Sequence, residues 1–188
     1  TLFSLKGLCR NYFKVDPITV GEPGVALGIR ALVDSPESVG ADRLVNAVAA
    51  HEKYGGPLII VDFGTATTFD VINGDGDYVG GAIAPGINLS LEALHRAAAM
   101  PRVSVQRPPA VIGKRTDSAM HSGIYWGYVG LIEGLVKRIR EEYGEDMRVI
   151  ATGGLAPLFE AATESIGKVD GDLTLRGLVS IHARNTAV

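Results

Sequence analysis

The stretch IIVDFGTATTFDVINGDGDYVGG, residues 59–81, decides the fold. An apolar run ends on Asp62, passes through Gly64 and Thr65, resumes as the β-rich ATTFDVI, and turns through GDGD into a further run from Tyr78. Runs rich in Val, Ile, Thr and Phe, bounded by Gly, Asn and Asp, read as strands joined by turns. The GDGD between Asn73 and Tyr78 supplies residues that tolerate positive φ, as a tight hairpin requires. The pattern therefore predicts three consecutive strands, PLIIVDFGT, ATTFDVI and YVGGAIAPG.

Asp62 stands where the first of these strands ends, which is where ligands bind in sheets that carry helices on their faces. Taken alone it also fits a turn-forming aspartate. Its neighbours favour a site: Gly64 lets a ligand approach the backbone, and the hydroxyls of Thr65, Thr67 and Thr68 can donate to phosphate oxygens without adding charge. A carboxylate beside a polyphosphate repels it unless a cation or ordered water lies between them, so Asp62 is read as the ligand of a cation or of its water. Downstream, VIATGGLAP repeats the plan, with Gly153 and Gly154 following an apolar strand and preceding a helix. A glycine pair alone is ordinary turn punctuation. Combined with the threonine-bearing hairpin, it suggests the phosphate and adenine ends of one nucleotide site, made by Gly64, Thr65, Gly153 and Gly154.

Outward from this centre, the opening TLFSLKGLCRNYF has the apolar spacing of a helix packed on a neighbour, DPITVG reads as a short strand, and Gly21 to Val39 as loop. ADRLVNAVAAHEKYGG reads as a helix that begins at Asp42 and stops at paired glycines, and residues 88–99 as another. Thr116 to Tyr143 is the longest helix candidate. Its Gly123, Gly127, Gly130 and Gly134 recur at steps of four, three and four and so share one face. Each glycine costs about 1 kcal/mol against alanine in a helix, so that face is expected to meet a close neighbour, either another helix or a second subunit. MRVIATGGLAPLF reads as strand, turn and helix start, and DLTLRGLVSIHARN as the closing helix.

Composition excludes several classes. Lys and Arg total 18 against 21 Asp and Glu, scattered along the chain, which gives no field for gripping a nucleic acid backbone. No apolar run approaches the roughly 18 residues of a membrane span, so no membrane is expected and the cytoplasm is the default location. The lone Cys9 cannot form an internal disulfide, and the four histidines lack zinc-ligand spacing.

VGADRLVNAVAA, VDFGTATTFDVI, GGAIAPGINLSLEAL, TDSAMHSG and VIATGGLAP, in this order, resemble type III pantothenate kinase, of the acetate and sugar kinase, heat-shock ATPase and actin superfamily; the match runs from about residue 18 to 175. The resemblance implies an α/β, actin-like (ribonuclease H-like) ATPase fold of two related domains, the first incomplete here. Residues 1–56 would be the remainder of that first domain with an interdomain helix, 57–165 the second domain, and 166–188 a C-terminal helix. It implies ATP-dependent phosphorylation of the primary hydroxyl of pantothenate, the first step of coenzyme A synthesis. The implied cofactors are a monovalent cation (K+ or NH4+) and Mg2+ with ATP, and the implied assembly is a homodimer.

By motif, the resemblance implies that Asp42 is the proton acceptor, that Gly40, Ala41, Arg43 and Thr116 contact substrate, that Asp62 binds the cation, and that Thr65 contacts ATP. From the residues alone, Asp42 and Thr116 also fit helix caps. Adjacent helical residues point about 100° apart, so Asp42 and Arg43 can address different parts of a substrate, a hydroxyl proton and an anionic group. Pantothenate carries both. Two departures stand out. The family's opening D-x-G-N-T phosphate hairpin does not occur, so the chain reads as the C-terminal portion of a longer protein; and Val33 stands where relatives often carry a substrate-contacting tyrosine. The competing reading is a non-catalytic, ligand-binding transcriptional accessory factor of the same family. Retention of Asp42, Arg43, Asp62 and Thr65 together favours the enzyme, because a pure binding protein needs no base.

Overall fold

The computed structural model describes residues 2–98 and 101–186. Its helices are α1 (Leu2–Leu8), α2 (Ala41–Tyr54), α3 (Ile87–Ala98), α4 (Thr116–Tyr143), α5 (Ala156–Glu160) and α6 (Leu173–Thr186). Its strands are β1 (Leu58–Phe63), β2 (Ala66–Ile72), β3 (Tyr78–Pro85), β4 (Arg148–Thr152) and β5 (Lys168–Val169). They form one mixed sheet in the order β3-β2-β1-β4-β5, antiparallel across β3, β2 and β1 and parallel from β1 through β4 to β5. The β2–β3 turn closes as expected: Gly76 takes φ +91°, and the Asn73 side chain accepts the backbone N–H groups of Asp75 and Asp77.

Strand alternation divides the sheet into two apolar faces. Ile59, Val61, Phe63, Phe69, Val71, Val149 and Ala151 lie under α3, α4 and α5, where Phe159 stacks on Phe63 with ring centres 5.1 Å apart. Leu58, Ile60, Ile72, Tyr78 and Ile150 lie under α2 and Leu173 of α6. The two helices on that second face approach closely at Gly177, where a Cβ would stand 2.2 Å from the Val45 carbonyl oxygen. Both faces are therefore covered, and polar groups on them must find partners or line a cleft.

One expectation fails in the N-terminal third, and two apolar or glycine-rich helix faces, on α1 and α4, are left open by the described residues. α1 runs into a π-helical turn (Cys9–Phe13), and Phe3, Leu5, Leu8, Tyr12 and Phe13 remain exposed, so the apolar spacing there is not matched by burial within the chain. DPITVG forms no strand: it has no regular structure and leads into a turn. On α4, among the described residues, no neighbouring helix lies against the glycine face, so a close neighbour there would have to come from a second subunit; Gly123, Gly127 and Gly130 look onto open space, and Gly134 lies near Arg138 of its own helix. Among the described residues, no helix is long and apolar enough to cross a membrane.

Candidate functional site

The β1–β2 turn and the turn after β4 converge because β1 and β4 are parallel neighbours that end at the same level, Asp62 opposite Thr152. Gly153 takes φ +91°, a conformation open to glycine at little cost. A Cβ there would stand 2.6 Å from the Phe63 carbonyl oxygen and 2.8 Å from Asp62 Oδ1. The same Oδ1 lies 3.8 Å from the Cβ position of Gly64. Asp62 is thus half-buried between the two glycine turns. A cleft of about 600 Å³ opens beside it, lined by Phe63, Gly64, Thr65, Asn88, Leu89, Gly154 and Leu155. Gly86 braces it from below, its Cα side packed on the Thr65 and Gly64 carbonyls.

Four of the predicted nucleotide residues therefore meet in one place, but only one of the three threonines does. Thr65 is exposed at the cleft. Thr67 is fully buried, and its Oγ1 has no hydrogen-bond partner among the described residues. Thr68 points to the opposite face, where its hydroxyl donates to Asp70 Oδ2 at 2.9 Å. Alternation along β2 puts the neighbours Thr67 and Thr68 on opposite faces, whereas Thr65 lies in the turn that precedes the strand.

That opposite face holds a second polar cluster, delivered by α2. Gly40 is the N-cap of α2, so Asp42 sits in its first turn, exposed, rather than capping it. Arg43 reaches down to the sheet, where its Nε donates to Asp70 Oδ1 at 2.6 Å and its guanidinium lies 5.4 Å above the Tyr78 ring. One turn on, the Asn46 amide donates to Asp62 Oδ2 at 3.0 Å, and Thr174 of α6 donates to Asn46 Oδ1 at 2.7 Å. Asp62 thus shows one oxygen to the glycine turns and the other to α2. Burial raises its pKa above the ordinary carboxylate range; the Asn46 bond lowers it, and the nearby charges of Asp42 and Asp70 raise it further. Asp70 shifts in the same direction, because burial outweighs the opposing effect of Arg43.

Thr116 is the first residue of α4, with Arg115 as the N-cap, and is exposed beside Pro101, Arg115 and Asp117 in a hollow of its own. The hollow at Asp42 is a different one, of about 430 Å³ and lined largely by apolar groups of α1, α2, α6 and residues 17–20. Val33 packs against the core under α2. Sequence reasoning missed Asn46, Asp70 and Thr174. An aspartate in mid-strand was the available signal for Asp70, since strands are depleted in Asp and a buried carboxylate needs a partner.

Residues 1–138 match the sequence model of the family described as type III pantothenate kinase. The chain belongs to that family. It is 68% identical over 186 residues to the type III pantothenate kinase of Paramagnetospirillum magneticum, and equally so to that of Rhodospirillum rubrum; each alignment covers 98% of this chain and 72% of the relative. Among solved structures, a Campylobacter jejuni protein assigned to a Baf family of transcriptional activators superposes with a TM-score of 0.63 at 21% identity, covering 98% of this chain and 80% of that one. At that identity the likeness carries the fold alone, and the mixed α/β sheet is common to both.

Proposed function

We propose that the chain acts as a type III pantothenate kinase, transferring the terminal phosphoryl group of ATP to the primary hydroxyl of pantothenate, with the residues below in the roles stated. The observation that carries this reading is the position of Asp62, whose two oxygens face the nucleotide turns on one side and the Asp42-bearing helix on the other. In phosphoryl transfer the transition state is loose, so catalysis is mostly positioning and charge neutralisation. Gly64, Thr65, Gly153 and Gly154 hold the nucleotide, which brings its Mg2+. Asp42 orients the substrate hydroxyl and takes its proton late in the transfer. Arg43, from the next position of the helix, meets the carboxylate at the other end of pantothenate, and Gly40 and Ala41 form the backbone floor between them. The finer fold assignment, an actin-like ATPase core, agrees with a mixed sheet whose central parallel strands end at the cleft. The test is ADP release coupled to a spectrophotometric assay: turnover requires pantothenate and ATP together, and ATP consumption that is blind to pantothenate sinks the reading.

Asp62 suits a monovalent cation held by one carboxylate with carbonyls and water. Among the described residues no cluster of three or more His, Cys, Asp and Glu is built to hold a metal ion. The bound cation would neutralise the carboxylate next to the phosphates. A raised acid pKa means that the folded chain binds the proton more tightly than the unfolded one. This group therefore costs stability progressively as pH climbs from the ordinary value of 3.8 through its raised value. A cation offsets that cost only where Asp62 is ionised. K+ is expected to raise the melting temperature at neutral pH relative to choline chloride of equal ionic strength. The gain should shrink as the pH is lowered through the Asp62 titration and vanish in Asp62→Asn. An equal gain in choline chloride removes the cation from this site.

The open glycine stripe of α4 supports a homodimer formed helix to helix. Gly127→Leu is expected to improve helix propensity by roughly 1 kcal/mol in a single chain, yet to halve the mass measured by light scattering. An unchanged mass places the dimer contact elsewhere.

Thr116, on the same helix, is retained as a substrate contact.

A further inference from the structure

Asp70 is fully buried, and its carboxylate accepts from Arg43 Nε at 2.6 Å and from the Thr68 hydroxyl at 2.9 Å, with the Tyr78 hydroxyl close by. Thr68 and Tyr78 belong to the sheet and are fixed by it, so the carboxylate has little freedom. Arg43 comes from α2, on its long and flexible side chain. Its side chain is 16% exposed, and it lies between Asp70 and the Tyr78 ring. Its Nη2 stands 3.2 Å from where a Cβ at Gly81 would be, and Gly81 is itself exposed. One edge of the guanidinium is thus consumed by a buried acid while the other passes over a residue without a side chain and reaches the surface. A Cβ at Gly81 would also meet the Phe69 carbonyl oxygen at 1.9 Å, so nothing larger than glycine fits under the guanidinium.

We infer that Asp70 is a positioning residue for substrate recognition: anchored by Thr68 and Tyr78, it pins the Nε edge of Arg43 so that the Nη end is presented over Gly81 to the carboxylate of the substrate. This rests on the kinase reading above. A planar guanidinium recognises a carboxylate through paired, parallel N–H donors, which only works when its plane is set beforehand. A buried carboxylate that engages Nε alone sets the plane and leaves the Nη donors for the ligand. Burying a charge is otherwise costly, and an apolar residue in mid-strand would hold the sheet as well.

The experiment compares pantothenate with pantothenyl alcohol, which keeps the reacting hydroxyl and lacks the carboxylate. In Asp70→Asn the KM for pantothenate is expected to rise about tenfold or more, the scale of one lost charge-assisted contact, with kcat and the KM for ATP within about threefold. The alcohol's kcat/KM should be unchanged, so the preference for pantothenate collapses. In an Arg43→Lys background the same substitution should add little, because lysine has no Nε edge to pin. The Arg43 Nε–H resonance is expected downfield in the wild type, and it should move upfield in the variant. Should Asp70→Asn fail to fold, Thr68→Val and Tyr78→Phe each remove one anchor while keeping the charge, and a smaller KM shift in the same direction is expected. Parallel losses for both substrates, or losses additive with Arg43→Lys, overturn the role of Asp70 alone. A wild-type protein that leaves pantothenate unphosphorylated overturns the functional reading instead.

Discussion

Asp42→Asn is expected to lower kcat by about a hundredfold to ten-thousandfold, the range for loss of a general base, while the folded structure survives. Asp42 lies in the first turn of α2 and is exposed, and its Oδ1 receives the backbone N–H of Arg43 at 2.9 Å. Asparagine presents an oxygen to the same donor, so the local bond persists. What is lost in stability is a charge near a helix N-terminus, worth about 0.3–1 kcal/mol. The melting temperature should therefore move by only a few degrees, and ATP should bind as before, because the nucleotide cleft is built from other elements. A rate in the coupled assay that matches the wild type would falsify the assignment of Asp42 as base. A collapse of both rate and melting temperature would instead make it a structural residue.

The ease with which these elements could be read from the chain follows from how local their causes are. The β1–β2–β3 meander was legible because each strand is bounded by its own turn residues, and α4 because twenty-eight residues carry one uninterrupted helical pattern. β5 was not, since two residues, Lys168 and Val169, hold no period to read. Nor was the pairing of β1 with β4, which depends on chain segments some ninety residues apart being brought together by packing. The site divides the same way. Asp62, Gly153 and Gly154 announce themselves at strand ends. Asn46 and Thr174 do not, because each looks like an ordinary polar residue on an amphipathic helix until α2 and α6 are laid across the same sheet face. The exposed apolar side chains of α1 show the converse, a local apolar pattern that the described residues leave uncovered.

Gly153→Ala tests whether the two turns act as one structure, and it should harm both stability and nucleotide binding. At φ +91° a side chain is strained by about 1–3 kcal/mol. The new methyl would also press on the Phe63 carbonyl at 2.6 Å and on Asp62 Oδ1 at 2.8 Å. The carbonyl is backbone at the end of a buried strand and cannot yield without shifting β1. The carboxylate can rotate, but only by giving up its bond from Asn46. Overpacking of this kind adds about 1–3 kcal/mol. The melting temperature is expected to fall by roughly 5–15 °C for a chain of this size, and the KM for ATP to rise about tenfold or more as the turn moves off the cleft. Gly154→Ala is the control. Its φ lies outside the left-handed region and nothing stands within 4 Å of its Cβ position, so stability should hold. Because Gly154 lines the cleft, its methyl should still raise the KM for ATP. Equal tolerance of both substitutions would mean that the turn after β4 does not share a nucleotide with the β1–β2 hairpin. The cation at Asp62 would then have no phosphate to neutralise.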